Sequence, residues 1–152
     1  MSESVRSFAL IVVNYGSSSL LAANLAPLSL PDGGGIIVVD CFTDLIERAR
    51  IAELAAAHGW HTVLLDDNVG FGAGVNVGAE VAIERGDEVI VTLNPDATVG
   101  PEALTALVSA AAERRALVSP QIVTGSGAPW FLGADLYLDL GFSASRRRRA
   151  EF

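Results

Sequence analysis

The chain has 152 residues, 51% of them apolar, with a formal net charge of −8; that length and composition allow one well-buried core. Its apolar runs fall far short of the roughly 20 residues of a membrane span, and no basic segment with a long apolar run follows Met1, so neither a span nor a secretory signal is read and a cytoplasmic protein is expected. All basic residues are arginine, and once Glu151 and the four arginines at 146–149 are set aside, 17 acidic residues face 6 arginines, which excludes nucleic acid as the expected partner and requires a cation beside any phosphate ligand.

The run FALIVVN (8–14) is continuous, apolar and rich in β-branched residues, the pattern of a strand buried on both faces. A helix is predicted over residues 17–26, then a strand at IIVVD (36–40). A second helix follows from Thr43 to His58, stopped by Gly59. Next come a strand at HTVLLD (61–66), a helix over residues 72–85 and a strand at EVIVTLN (88–94). The fourth helix starts at Pro101 and places Leu104, Leu107, Val108 and Ala111 on one face. A fifth strand is expected at ALVSP (116–120) and a short one at residues 130–132. Strands alternating with helices predict an α/β fold with a mostly parallel sheet covered on both faces.

In such sheets ligands bind beyond the carboxyl ends of the strands. That rule selects Asn14, Tyr15 and Gly16 after the first strand, and Asp40, Cys41 and Phe42 after the second. After the third stand Asp66, Asp67, Asn68 and Val69, and after the fourth Asn94, Pro95 and Asp96. Taken singly, each exit is also what helix caps and turns require. Cys41, the single cysteine, can form no internal disulfide and is read as a small buried residue. His58 and His61 flank a helix-to-strand turn away from this edge and are read as structural.

The segments IVVNYGSSSLLAANL, IIVVDCFT, DDNVGFGAGVNVGAEVA and VTLNPDATVGPEAL, in this order, resemble the donor-site motifs of family 2 glycosyltransferases, particularly the rhamnosyltransferase-like branch. The resemblance covers roughly residues 8–134. It implies a Rossmann-like GT-A fold that binds a nucleoside-diphosphate sugar, UDP- or dTDP-linked, and transfers the sugar with inversion to a glycan or lipid-linked acceptor. The branch points to dTDP-rhamnose. The leaving diphosphate calls for Mg2+ or Mn2+, and Asp96 is the implied metal carboxylate. Asn94 would hydrogen-bond ribose or phosphate. Asp40 would accept from N3 of a uracil or thymine base, and Asn14 and Tyr15 would wall the base. Asn68 and Gly70 would face the nucleotide, and Asn76 is a further candidate. Cys41 stands where the family often has Asn, and Gly16 where NYN is common.

Residues 1–134 are read as the donor domain and 135–152 as a truncated or mobile basic tail. The base that an inverting transferase needs belongs to the family's second half; Asp135 and Asp139 lie outside any such context, so no catalytic residue is assigned. A fragment, half of a split enzyme and a non-catalytic nucleotide-sugar-binding module are the three readings, and self-association through an open sheet edge fits the first. A dinucleotide-binding oxidoreductase, suggested by GFGAG at 70–74, fails because Val75 stands at the third glycine position and the motif does not follow the first strand.

Overall fold

Every residue of FALIVVN is buried in strand β1, Phe8–Asn14, in a computed structural model that describes residues 7–137, 139 and 142–145. The chain divides into two units after Arg115. In the first, β1 is flanked in parallel by β2 (Gly34–Asp40) and β4 (Val89–Thr92), and β2 by β3 (His61–Leu64), giving the order β3-β2-β1-β4. Strand β2 starts two residues before its apolar run. Gly34 permits this, because a Cβ there would lie 2.4 Å from the Phe8 ring that pairs beside it.

Period-two alternation sorts the core. Leu10, Val12, Ile36 and Val38 face one side, with Ile51 and Ala55 of α2 (Leu45–His58) and with Leu21 and Leu25. Leu104 and Val108 of α4 (Pro101–Arg114) complete that side over Phe8 and Val89. The opposite side carries Ala9, Ile11, Val13, Ile37 and Val39 and is covered by α3 (Phe71–Glu84). Helix α2 begins two residues later than predicted because Asp44 caps it, its carboxylate accepting from the N–H groups of Ile46 and Glu47. Gly59, at φ 68°, ends it.

Two elements differ from expectation. The first helix is a three-residue turn, α1 (Ser18–Leu20), running into a π-helical turn over Leu21–Leu25, where the Ala26 N–H donates to the Leu21 carbonyl at 2.9 Å. ALVSP forms no strand: Leu117 is 89% exposed, and Pro120 has no N–H to give a ladder.

The second unit holds two antiparallel pairs. Strand β5 (Ile122–Val123) pairs with β6 (Pro129–Phe131), and β7 (Ala134–Tyr137) with β8 (Phe142–Ser145). Residues 135–137 and 142–145 of the expected tail are therefore strand, while the arginines at 146–149 lie outside the described residues. No helix among the described residues is long and apolar enough to cross a membrane.

Helix α3 approaches the sheet closely through Gly74 and Gly78. A Cβ at Gly78 would stand 2.7 Å from Ile11 Cγ2 and 3.1 Å from Val39 Cγ2, atoms held in the sheet interior. Gly78→Val is expected to lower the unfolding free energy by about 1–3 kcal/mol through overpacking. Gly72→Ala, in open space on the same helix, is expected to be neutral or stabilising by up to about 1 kcal/mol. Urea denaturation followed by circular dichroism measures both.

Candidate functional site

Because the four strands run parallel, their exits converge on one edge of the sheet. The chain steps from β1 to β2 to β3 and then returns to the other side of β1 with β4. The exits of β1 and β4 thus flank the topological switch point, the place where open α/β sheets bind ligands.

Asn14 and Asp40 are partners in the β1–β2 ladder and lie side by side. The Asn14 side-chain amide donates to Asp40 Oδ1 at 2.9 Å, and Arg48 Nε of α2 donates to Oδ2 at 3.1 Å. Arg48 also donates to the Leu65 carbonyl after β3, and its guanidinium lies 4.7 Å from the centre of the Phe42 ring. The Asp40 carboxylate, 1% exposed, joins the exits of three strands. A buried carboxylate without such partners would cost several kcal/mol.

Tyr15 is 55% exposed. Its loop is held by Asn14 Oδ1, which accepts from the Ser17 N–H at 3.1 Å. Buried Glu47 accepts from both the backbone N–H and the hydroxyl of Ser18, tying α1 to α2.

After β3, exposed Asn68 accepts through its side chain from the Gly70 N–H at 2.9 Å, and Gly70, at φ 81°, leads into α3. Asn76 is exposed on α3, apart from these contacts. The glycine-rich segment therefore follows the third strand, and a dinucleotide fingerprint would need it after the first. After β4, Asn94-Pro95-Asp96-Ala97 forms a β-turn in which the Ala97 N–H donates to the Asn94 carbonyl at 3.1 Å. Proline suits its second position. Asn94 and Asp96 are both exposed, and the Asp96 carboxylate makes no hydrogen bond or ion pair among the described residues.

Among the described residues no three His, Cys, Asp or Glu side chains group together. A single free carboxylate nevertheless suits Mg2+ or Mn2+, hard cations held by one or two carboxylates that fill their shells with water and phosphate oxygens. The exposed Asp96 carboxylate is of the oxygen-ligand type that such cations take, and Asn94, two residues before it, adds no charge.

The family model for glycosyl transferase family 2 matches residues 11–149. The chain belongs to glycosyl transferase family 2. Its fold is similar to that of S. aureus TarS 1–349, with a TM-score of 0.54 and 25% identity over 72% of this chain and 33% of that one. The same protein in complex with UDP-GlcNAc gives a TM-score of 0.56 and 24% identity over 72% and 32%. The mannosyltransferase PcManGT from Pyrobaculum calidifontis, in complex with GDP-Man and Mn2+, gives 0.55 and 20% over 72% and 33%. The family 2 chain thus spans about a third of the length of these solved structures. No protein of curated function matches it. The α/β architecture is that of the GT-A glycosyltransferases.

Arg48 and Glu47 carry no motif in the sequence, yet they organise this edge. An Asp44-x-x-Glu47 spacing is visible as a helix start, but the Glu47 side chain reaches across to Ser18. His58 stacks on Trp60 at 5.2 Å and belongs to the helix-to-strand turn.

Arg48→Met leaves Asp40 buried beside one neutral donor and is expected to cost about 3 kcal/mol. In the double variant with Asp40→Asn part of that loss returns, and urea denaturation of the four proteins should give a coupling of about 1–3 kcal/mol. Burial pushes the Cys41 thiol up; the Val69 N–H offsets this in part, and the Asp40 carboxylate adds to it. At pH 8 Cys41 is expected to resist thiol reagents in the native protein and to react fully in urea, as read by mass spectrometry.

Proposed function

We propose that this chain binds the donor of an inverting sugar transfer, a UDP- or dTDP-linked hexose, through a divalent cation held by Asp96. The observation that carries this reading is the free, exposed Asp96 in a proline turn after β4, at the switch point of a family 2 domain. The complexes of neighbours with UDP-GlcNAc and with GDP-Man and Mn2+ support it.

Tyr15 offers an aromatic wall for the base on a loop already tied down. Asn14 and Asp40, expected to touch the base, are buried and bonded to each other, to Ser17 and to Arg48, so in this structure they hold the Tyr15 loop in place and offer the base no free edge. Asn68, Gly70 and the first turn of α3 would face the nucleotide, where free backbone N–H groups suit phosphate. Asn76 stands further along the same helix, and Asn94 would donate to ribose or phosphate. A bound Mg2+ or Mn2+ supplies Lewis-acid neutralisation of the departing diphosphate in a domain whose own charge repels it. The acceptor is a glycan or lipid-linked sugar on the cytoplasmic side, and dTDP-rhamnose is the donor that the branch resemblance favours. No residue of the chain is assigned as the catalytic base, and this chain alone is expected to turn over little.

Calorimetric titration with UDP and dTDP tests the site. Binding is expected to tighten with Mn2+, and Asp96→Ala should remove the metal-dependent part. Equal affinity for NADH, or diphosphate binding indifferent to both metal and substitution, would sink the proposal. Release of UDP or dTDP from the nucleotide sugars then separates a transferase from a non-catalytic binder.

A further inference from the structure

Asn24 lies in the π-helical turn between β1 and β2 and is half-buried. Its side-chain amide donates at 2.9 Å to the Pro95 carbonyl, across 71 residues of sequence. The bond joins the two connections that flank the switch point, one leaving β1 and the other leaving β4.

Its position within the Asp96 turn is specific. Pro95 and Asp96 share the peptide whose carbonyl Asn24 holds. The pyrrolidine ring fixes φ of Pro95 near about −65°. The Ala97-to-Asn94 hydrogen bond closes the turn. Once Asn24 fixes the plane of the 95–96 peptide, ψ of Pro95 is set as well; with φ of Asp96 restrained by the closed turn, the direction in which the Asp96 side chain leaves the backbone follows.

The local backbone points the same way. Asparagine is a poorer helix former than the alanines at 22 and 23 that precede it, so position 24 gives up local stability for a distant contact. The Leu21–Leu25 turn that carries it is π-helical, an uncommon geometry that concentrates at functional sites.

We infer that Asn24 is a positioning residue for the cation-holding carboxylate of Asp96, acting through the Pro95 carbonyl. This rests on Asp96 having the role proposed above. Asn24 touches neither cation nor donor in this assignment; it sets the orientation of the group that does.

The test compares Asn24→Asp, which keeps the shape but replaces the donor by an acceptor, and Asn24→Ala, which removes it without adding charge, with the wild type and Asp96→Ala. In the metal-free protein, amide exchange at Ala97 is expected to accelerate about tenfold in both Asn24 variants, the worth of one lost hydrogen bond. Affinity for UDP with Mn2+ is expected to fall about tenfold, while affinity for uridine without metal stays at the wild-type value. Wild-type exchange and wild-type UDP affinity in the Asn24 variants, with Asp96→Ala still abolishing metal-dependent binding, would reject the role of Asn24 and leave the site intact. A parallel loss of uridine and UDP affinity would mark a general structural effect and also overturn the inference. If even Asp96→Ala leaves UDP binding unchanged, the site itself is refuted, and the positioning role with it.

Discussion

A carboxylate inside a protein has to be matched by donors, and Asp40 is matched by donors from two different places in the chain. Asn14 comes from β1, Arg48 from α2, and through Arg48 the Leu65 carbonyl after β3 is drawn in. The parallel register of β1 and β2 makes this inevitable, since both strands end at the same rung and present Asn14 and Asp40 as a pair. Helix α2 must then start close enough for Arg48 to reach that rung, which the Asp44 cap secures. The exits that shape the proposed nucleotide site are therefore fastened to one another before any ligand arrives.

What could be read from the sequence follows from the range of the forces involved. Strand β1 and the helices α2, α3 and α4 were legible because burial on a central strand, the stop signal Gly59 and the start signal Pro101 are local in sequence. ALVSP looks like a strand by composition alone, yet a strand also needs a partner edge and donors, and Pro120 withholds one. The π-helical turn at residues 21–25 left no local signature. The same is true of Arg48 and Asn24: both are ordinary helix residues in sequence, and their importance comes from backbone carbonyls 17 and 71 positions away. Asp96 was legible as a turn residue after a strand, and its exposure and lack of partners came only with the fold.

The charge distribution gives the proposed chemistry its character. The acidic surface opposes an approaching diphosphate, whereas a divalent cation is drawn toward it. Asp40 and Glu47 are committed to internal hydrogen bonds, which leaves Asp96 as an open carboxylate at the exit of β4. Asp66 and Asp67 after β3 are exposed and, among the described residues, uncommitted as well, so Asp96 is set apart by its place beside the switch point rather than by being the last open carboxylate.

Tyr15 carries a further consequence. Its neighbours on both sides are anchored, Asn14 by Asp40 and Ser17 by Asn14, and Gly16, at φ 64°, makes the turn between them without strain. The ring stands in solvent on a backbone that has little left to lose. A planar group stacking on it would immobilise two side-chain torsions rather than a loop, so the entropic cost of recognition falls on the ligand and hardly at all on the protein.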